Sequence, residues 1–309
     1  MQIINGLEQY RKSERPLFLA LGNFDGVHHG HSRLIKGLVD EAHNYGAVSA
    51  AFIFEPHPSR VLNPERAPKL LVTAERKAEL LENLGLELLI YHPFTMEMAR
   101  TSPREFVEKL LVNIMGVKHI AVGFNYTFGH KGSGTAEMLQ EMGREYGFTV
   151  QIVPAVELDG EVVSSSLIRS YLENGAIESA GKLLGYYPMI EGIVVEGEKR
   201  GFTIGFPTAN LAVPADLSIP SRGVYAARAE IDGQLYKAAV NIGNKPTFHA
   251  DYPICVEAHL IDFEGNLYGR QVRLFFLHKI RDEKKFNGAE ELMAQIARDR
   301  QSVIDGDQQ

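Results

Sequence analysis

The run Leu21-Gly22-Asn23-Phe24-Asp25-Gly26-Val27-His28-His29-Gly30-His31 stands between the apolar stretch Leu17 to Leu21 and a helical pattern that starts near Ser32. A strand that enters a helix through a glycine-bearing turn is the opening unit of a parallel α/β sheet. It is also a place where phosphate binds, because unpaired backbone N–H groups and the positive end of the helix dipole converge there. His28 and His31, with Gly30 between them, bring two imidazoles to the same polyphosphate. Gly30 lets the backbone approach closely, and Gly22 and Gly26 permit the tight entry. Two plainer readings stand beside this one. Histidines near a turn are often surface residues, and a zinc site lacks a thiol or a suitably spaced carboxylate to complete it.

Working outward, short apolar runs alternate with amphipathic helical stretches up to Gly185. Leu17 to Leu21, Val48 to Phe54, Leu86 to Tyr91, His119 to Val122 and Phe148 to Val153 are the expected strands. Ser102-Pro103-Arg104-Glu105 predicts a helix start with a capping box, Gly116 its end, and Phe106, Val107, Leu110, Leu111 and Ile114 its buried stripe. Beyond Gly185 the pattern is one of strands joined by turns: Met189 to Glu196, Val224 to Ile231, Leu235 to Ile242, Ile254 to Asp262 and Val272 to Leu277. Asp232-Gly233 predicts a type I′ hairpin, since both positions of that turn need positive φ. A small antiparallel barrel follows, closed by a helix over Ala289 to Arg300 with Leu292, Ile296 and Val303 inward. The expected fold is therefore α/β: a Rossmann-like parallel sheet over 1–185, then a β-barrel with a terminal helix over 186–309.

Composition limits the function classes. The chain has 309 residues, 45% hydrophobic and 23% charged, with 32 Lys+Arg against 39 Asp+Glu, giving a formal net charge of −7. That balance offers no long-range attraction to nucleic acid or to an anionic membrane, so any phosphate must be gripped locally. The single Cys255 forms no intramolecular disulfide, and no Cys/His cluster has zinc-site spacing. A cytoplasmic protein with no membrane partner is expected. The N-terminus shows no signal-peptide core, and no window approaches the roughly 18 apolar residues of a membrane span.

The opening run resembles the HxGH signature of the nucleotidyltransferase superfamily in its longer form GxFDxxHxGH. The resemblance implies that His28 and His31 contact the ATP triphosphate within a turn built from Gly22, Asn23, Phe24, Asp25, Gly26 and Gly30. Val163-Ser164-Ser165-Ser166-Leu167-Ile168-Arg169 is similar to the family's ISSTxIR motif, with Ser166 keeping the hydroxyl of the usual Thr. It implies that Ser165 and Ser166 join the ATP site and that Arg169 brings a guanidinium to the phosphates. Ser166 is expected to cap the helix starting there. Without the family, Arg169 reads as a solvated helix residue. Phe52-Ile53-Phe54-Glu55-Pro56-His57-Pro58 and Gly123-Phe124-Asn125-Tyr126-Thr127-Phe128 resemble segments of the flavin-adenylylating branch. They imply that Phe54, Pro56, His57, Pro58, Asn125 and Phe128 line the flavin site, Asn125 standing for the commoner Asp.

The C-terminal half has neither a P-loop nor the motifs of a protein kinase. Gly197-Glu198-Lys199-Arg200-Gly201-Phe202-Thr203-Ile204-Gly205-Phe206-Pro207-Thr208-Ala209-Asn210 resembles the flavokinase signature instead. The resemblance implies an ATP loop with Gly197, Lys199, Gly201 and Pro207, and Mg²⁺ on the oxygens of Thr208 and Asn210. Phe202 departs from the usual Arg, whose role falls to Arg200 or Lys199. Glu257 matches the family's catalytic carboxylate, and Arg281 a residue near the flavin. On pattern alone, Pro-Thr-Ala-Asn is a turn, Glu257 an outward-facing strand residue beside His259, and Arg281 a surface ion-pair partner. The chain is thus similar over essentially its whole length to the bacterial bifunctional riboflavin kinase/FMN adenylyltransferase (FAD synthetase) family. That likeness implies two reactions, riboflavin plus ATP giving FMN and FMN plus ATP giving FAD. The alternatives are an enzyme retaining one activity and a flavin-binding regulator; the oligomeric state stays open.

Overall fold

The computed structural model describes residues 1–197, 205–244 and 254–306. They form two compact units, Met1–Lys69 with Thr73–Ser164, and Leu70–Val72 with Ser165–Gln309.

The first unit is built on strands β1 (Gln2–Asn5), β2 (Leu17–Leu21), β3 (Val48–Phe54), β4 (Leu88–His92) and β5 (Val117–Gly123). A short hairpin, β6 (Thr127–Phe128) with β7 (Gly134–Thr135), precedes β8 (Thr149–Val153). The six-stranded sheet has the order β1-β4-β3-β2-β5-β8, every pair parallel. Helices fill the crossovers: α1 (His29–Asn44), α2 (Pro58–Leu62), α3 (Ala74–Asn83), α4 (Pro103–Glu105) and α5 (Ala136–Tyr146), α4 running on as the π-helical stretch Phe106–Met115. Both faces of the sheet are covered, so β2 reads as a continuous apolar run. Leu17, Leu19 and Leu21 pack with Phe106, Leu110, Leu111 and Leu139, whereas Phe18 and Ala20 pack with Leu34, Ile35, Leu38 and Leu81. Full burial of a side chain such as Leu19 or Ile35 contributes roughly 1.5–3 kcal/mol. The chain moves outward from β2 in both directions, through β3 to β4 on one side and β5 to β8 on the other. The carboxyl ends of β2 and β5 therefore flank the topological switch point, where open α/β sheets bind ligands.

Three local expectations meet their structure here. Ser102 and Glu105 form both bonds of the capping box, with Pro103 at the first helical position, and Gly116 ends the helix at φ 66°. The buried stripe holds for Phe106, Val107, Leu110 and Leu111 but not for Ile114, which is 43% exposed while Met115 is buried. The π-helical stretch explains this correction: i to i+5 bonding widens the turn, and the 3.6-residue phase used to place Ile114 inward slips by one residue. β1 carried no recognisable signal because it is a four-residue edge strand with only Ile4 buried.

After a small hairpin, β9 (Glu157–Leu158) with β10 (Glu161–Val162), the second unit begins with α6 (Ser165–Glu173) and α7 (Ile177–Leu184), the latter ended by Gly185 at φ 84°. Its strands are β11 (Met189–Val195), β12 (Ala209–Ala212), β13 (Gly223–Ile231), β14 (Gln234–Asn244), β15 (Ile254–Leu260) and β16 (Gln271–Arg281). They close in the order β11-β12-β15-β14-β13-β16, antiparallel throughout. Asp232 and Gly233 both have positive φ, 49° and 79°, as the type I′ turn demands. Val194, Leu211, Val240, Val256, Ala258 and Phe276 fill the interior. The final helix α8 (Ala289–Gly306) covers an outer patch, Val303 packing with Ala226, Ala239 and Ile261. The segment 70–72 belongs to this unit: Leu70 bonds to Asp216 and Ser218, a long-range bridge that no local pattern announces.

Candidate functional site

The turn after β2 is held in an unusual backbone conformation. Phe24 and Val27 have φ of 46° and 39°, and Gly26 has 81°. Positive φ in a β-branched valine is costly, and such conformations concentrate at ligand sites. The helix begins earlier than its apolar pattern suggests. α1 starts at His29 because His28 caps it, its Nδ1 accepting from the His31 N–H at 3.4 Å. The two imidazoles stack at 3.7 Å and 15°, and Phe24 meets His31 edge-on at 5.3 Å. A Cβ on Gly30 would press on the His28 ring at 3.2 Å, so only glycine fits this position without displacing His28. Asp25 and His28 are buried, at 3% and 5% exposure. His31 Nδ1 is enclosed and finds no hydrogen-bond partner among the described residues. Burial, with His28 and Lys77 adding to it, holds the pKa of His31 well below the ordinary histidine value.

Two further loops stand at the same edge of the sheet. The Asn23 amide lies 3.0 Å from His57 Nε2, joining the turn after β2 to the loop after β3. His57 caps α2, its Nδ1 accepting from Ser59 N–H, with Pro58 at the first helical position. Phe54 lies within an aromatic cluster with Phe52, Phe94 and Phe106. Phe128, buried, packs on Phe106 and Tyr126, while Asn125 is exposed in the loop after β5. Pro56 is exposed at the loop apex. The structure thus joins Asn23 to His57 across two loops and links Phe54 to Phe128 through Phe106; Asn125 and Pro56 are exposed in loops that follow β5 and β3. It adds Lys77 and Glu55, which the sequence reading passed over. Lys77 on α3 is 4% exposed, and the only available signal was its phase, shared with buried Ala78 and Leu81.

His31, His92 and His119 all have pKa values lowered chiefly by burial. The unfolded chain binds these protons from about pH 6.5 downward, whereas the folded chain resists them, so the stability they leave intact above that pH is lost as pH falls. We expect the melting temperature of the first unit to be level between about pH 8 and 7 and to decline from about 6.5 toward 5, above the range where carboxylates titrate. Thermal unfolding followed by circular dichroism checks this, and His119→Gln should flatten part of the slope.

Ser165, Ser166 and Arg169 lie on α6 in the second unit. The helix starts at Ser165, so Ser166 sits inside its first turn rather than at the expected cap, and Arg169 is half-buried. On the barrel, Asn210 of β12 faces Glu257 of β15 in register, and Glu257 faces Asn241 of β14 on its other side. Cys255 Sγ lies 3.6 Å from Asn210 Oδ1 and 3.8 Å from Glu257 Oε1. With Val256 and Ala258 filling the interior, this row lies on the outer face of the barrel. His259, also on that face, donates from Nδ1 to the Pro207 carbonyl at 2.9 Å and meets Phe206 edge-on. It therefore fixes the entry to Thr208 and Asn210. Gly197 lies against the Asn210 amide so closely that a Cβ there would displace it. Lys199 and Gly201, with Arg200 and Phe202, lie outside the described residues. Arg281 is engaged elsewhere, in a two-pronged ion pair with buried Asp299 of α8, Nη2 to Oδ2 at 2.8 Å, and lies over the Phe286 ring. Asn241, Cys255 and His259 escaped the sequence reading as site residues; the parity shared by 255, 257 and 259 was the available clue.

Among the described residues no group of three His, Cys, Asp or Glu side chains could hold a metal. Thr208 and Asn210 supply neutral oxygens only, which suits a hard cation that arrives with nucleotide phosphates and keeps part of its water.

Known proteins resemble the chain over both units. A family model described as FAD synthetase matches residues 10–167, and one described as riboflavin kinase matches residues 184–305. A Bacillus subtilis protein named bifunctional riboflavin kinase/FMN adenylyltransferase is 40% identical, covering 93% of this chain and 91% of that protein. The protein of the same name from Pseudomonas fluorescens is 37% identical over 97% of this chain and 96% of its own length. Among solved structures, a Streptococcus pneumoniae chain described as a macrolide-efflux protein superposes with a TM-score of 0.88 at 31% identity, covering 97% of this chain and 98% of that one.

Proposed function

The chain belongs to the bifunctional riboflavin kinase/FMN adenylyltransferase family, and from that premise we propose which of its own residues carry the two reactions. The enzyme phosphorylates riboflavin to FMN with ATP and adenylylates FMN with ATP to FAD, releasing pyrophosphate. We assign adenylyl transfer to residues 1–185 and kinase chemistry to residues 186–309, in the cytoplasm.

Adenylyl transfer needs little proton movement, because the attacking FMN phosphate, with a second pKa of about 6, is already largely ionised at neutral pH. The task is to align two polyanions and to stabilise charge on the α-phosphate and the leaving pyrophosphate. The N-terminus of α1 and the stacked imidazoles of His28 and His31 are the donors for that charge; Ser165, Ser166 and Arg169 are carried as ATP-binding residues on the family resemblance alone. Gly22, Asn23, Phe24, Asp25, Gly26 and Gly30 shape the turn. The Phe54 cluster and Phe128 suit the apolar isoalloxazine ring; Pro56, His57, Pro58 and Asn125 form its polar edge. The observation that carries this reading is the His28 cap, which orients one ring through the backbone of the other.

Phosphorylation of riboflavin does need a base, since its 5′-hydroxyl is a poor nucleophile until the proton is accepted. Glu257 is that base. Asn210 beside it, with Thr208, would hold Mg²⁺, which would supply neutralisation of charge on the transferring phosphate. Gly197 and Pro207 bound the nucleotide loop together with Lys199 and Gly201, and Arg281 borders the flavin, its guanidinium braced by Asp299. Efflux, the role named for the structural relative, finds no counterpart: no helix among the described residues is long and apolar enough to cross a membrane. Incubation of the protein with riboflavin, ATP and Mg²⁺, with chromatographic separation of flavins, should give FMN and then FAD, and chelation of Mg²⁺ should stop FMN formation. FMN without any FAD from the wild-type protein would restrict it to one activity.

A further inference from the structure

Strand register gives the surroundings of Glu257 two sides. On one side, His259 of β15 donates to the carbonyl of Pro207, beside Thr208, so the groups assigned to nucleotide and Mg²⁺ lie there. On the other side, Cys255 of β15 pairs with Gly243 of β14. The attacking and leaving oxygens of phosphoryl transfer lie in line, so riboflavin reaches Glu257 from this second side. Gly243 shares the parity of Asn241, and a side chain there would stand on the outer face of the barrel beside Glu257. That space is taken: a Cβ on Gly243 would overlap the carboxylate of Glu283, from the loop that follows β16. Glu283 thus reaches over β14 and sets a second carboxylate on the face that carries Glu257. The step from the Asn241–Glu257 pair to the Gly243–Cys255 pair is two residues of strand, roughly 7 Å. An extended ribityl chain with its 5′-hydroxyl at Glu257 covers a step of that size. Glu283 is exposed and forms no hydrogen bond or ion pair among the described residues, whereas Arg281 at the end of β16 is held by Asp299.

We propose that Glu283 is a specificity-determining residue of the kinase site: seated over Gly243, its carboxylate accepts a hydrogen bond from a secondary hydroxyl of the ribityl chain and so selects a flavin that carries this polyol. It binds substrate and takes no proton. The inference rests on the assignment of riboflavin phosphorylation to the face around Glu257, and loss of FMN formation in Glu257→Gln tests that assignment separately.

The test reads the KM for riboflavin during FMN formation. Glu283→Ala should raise that KM roughly ten-fold, the scale of one hydrogen bond to a charged acceptor, with kcat at saturating riboflavin unchanged. The retained kcat also reports an intact barrel. Gly243→Ala places a methyl where the carboxylate sits and displaces only the flexible end of Glu283. It should raise KM in the wild-type background and alter it by less than about two-fold in Glu283→Ala, because the group it displaces is gone. Among riboflavin analogues lacking one secondary ribityl hydroxyl, one should show the raised KM with the wild-type protein and lose nothing further with Glu283→Ala. An unchanged KM in Glu283→Ala, a loss confined to kcat, equal effects of Gly243→Ala in both backgrounds, or equal losses for riboflavin and every deoxy analogue would each overturn the proposal.

Discussion

Glu257→Gln is expected to reduce FMN formation from riboflavin and ATP by roughly 10²–10⁴-fold, the range that a positioned general base contributes. The substitution is nearly isosteric and sits on the outer face of the barrel, so the interior formed by Val256 and Ala258 is untouched. The amide can still accept one hydrogen bond from Cys255 or the riboflavin hydroxyl but cannot take the proton. The loss should therefore fall on kcat, with the KM for riboflavin changed little. FAD formation from supplied FMN should remain at the wild-type rate, because that reaction is assigned to the other half of the chain. Unimpaired FMN formation in this variant would move the base to another residue.

His31→Ala is expected to show the reverse pattern: FMN accumulates and FAD formation falls by roughly 10²–10³-fold, as when one preorganised donor to a developing oxyanion is removed. The His31 ring stacks on His28 at 3.7 Å, and its backbone N–H is the group that His28 accepts from. Ala keeps the N–H, so the cap persists while the ring is lost. The change thus removes a donor without unravelling the start of α1. FAD produced at the wild-type rate would overturn the assignment of adenylyl transfer to this turn.

Much of this was legible in the sequence, and the reasons are local. β2, β3 and β5 announced themselves because strands buried on both faces are continuous apolar runs. The Ser102 cap, the Gly116 stop and the Asp232-Gly233 turn depend on interactions spanning a few residues, so short segments specify them. The His28 to His31 turn was readable because its glycines and imidazoles have few other uses together. Legibility failed where a residue's role depends on a distant neighbour. Pro207 to Asn210 reads as a turn on pattern alone, whereas Ala209–Ala212 is a short strand whose geometry is set by its pairing between β11 and β15. Ile114 was misplaced because π-helical widening is not encoded in an apolar pattern.

The sequence by itself determined the two-part architecture, since that follows from periodicity and turn chemistry; the roles proposed for the site residues come from the family resemblance. Only the tertiary structure decided which of those groups face one another. Glu257 stands between Asn210 and Asn241 because strand register aligns residues far apart in the chain, and Asn23 meets His57 because β2 and β3 lie side by side. Register and helix packing are set by burial summed over whole elements, a quantity that no single segment carries.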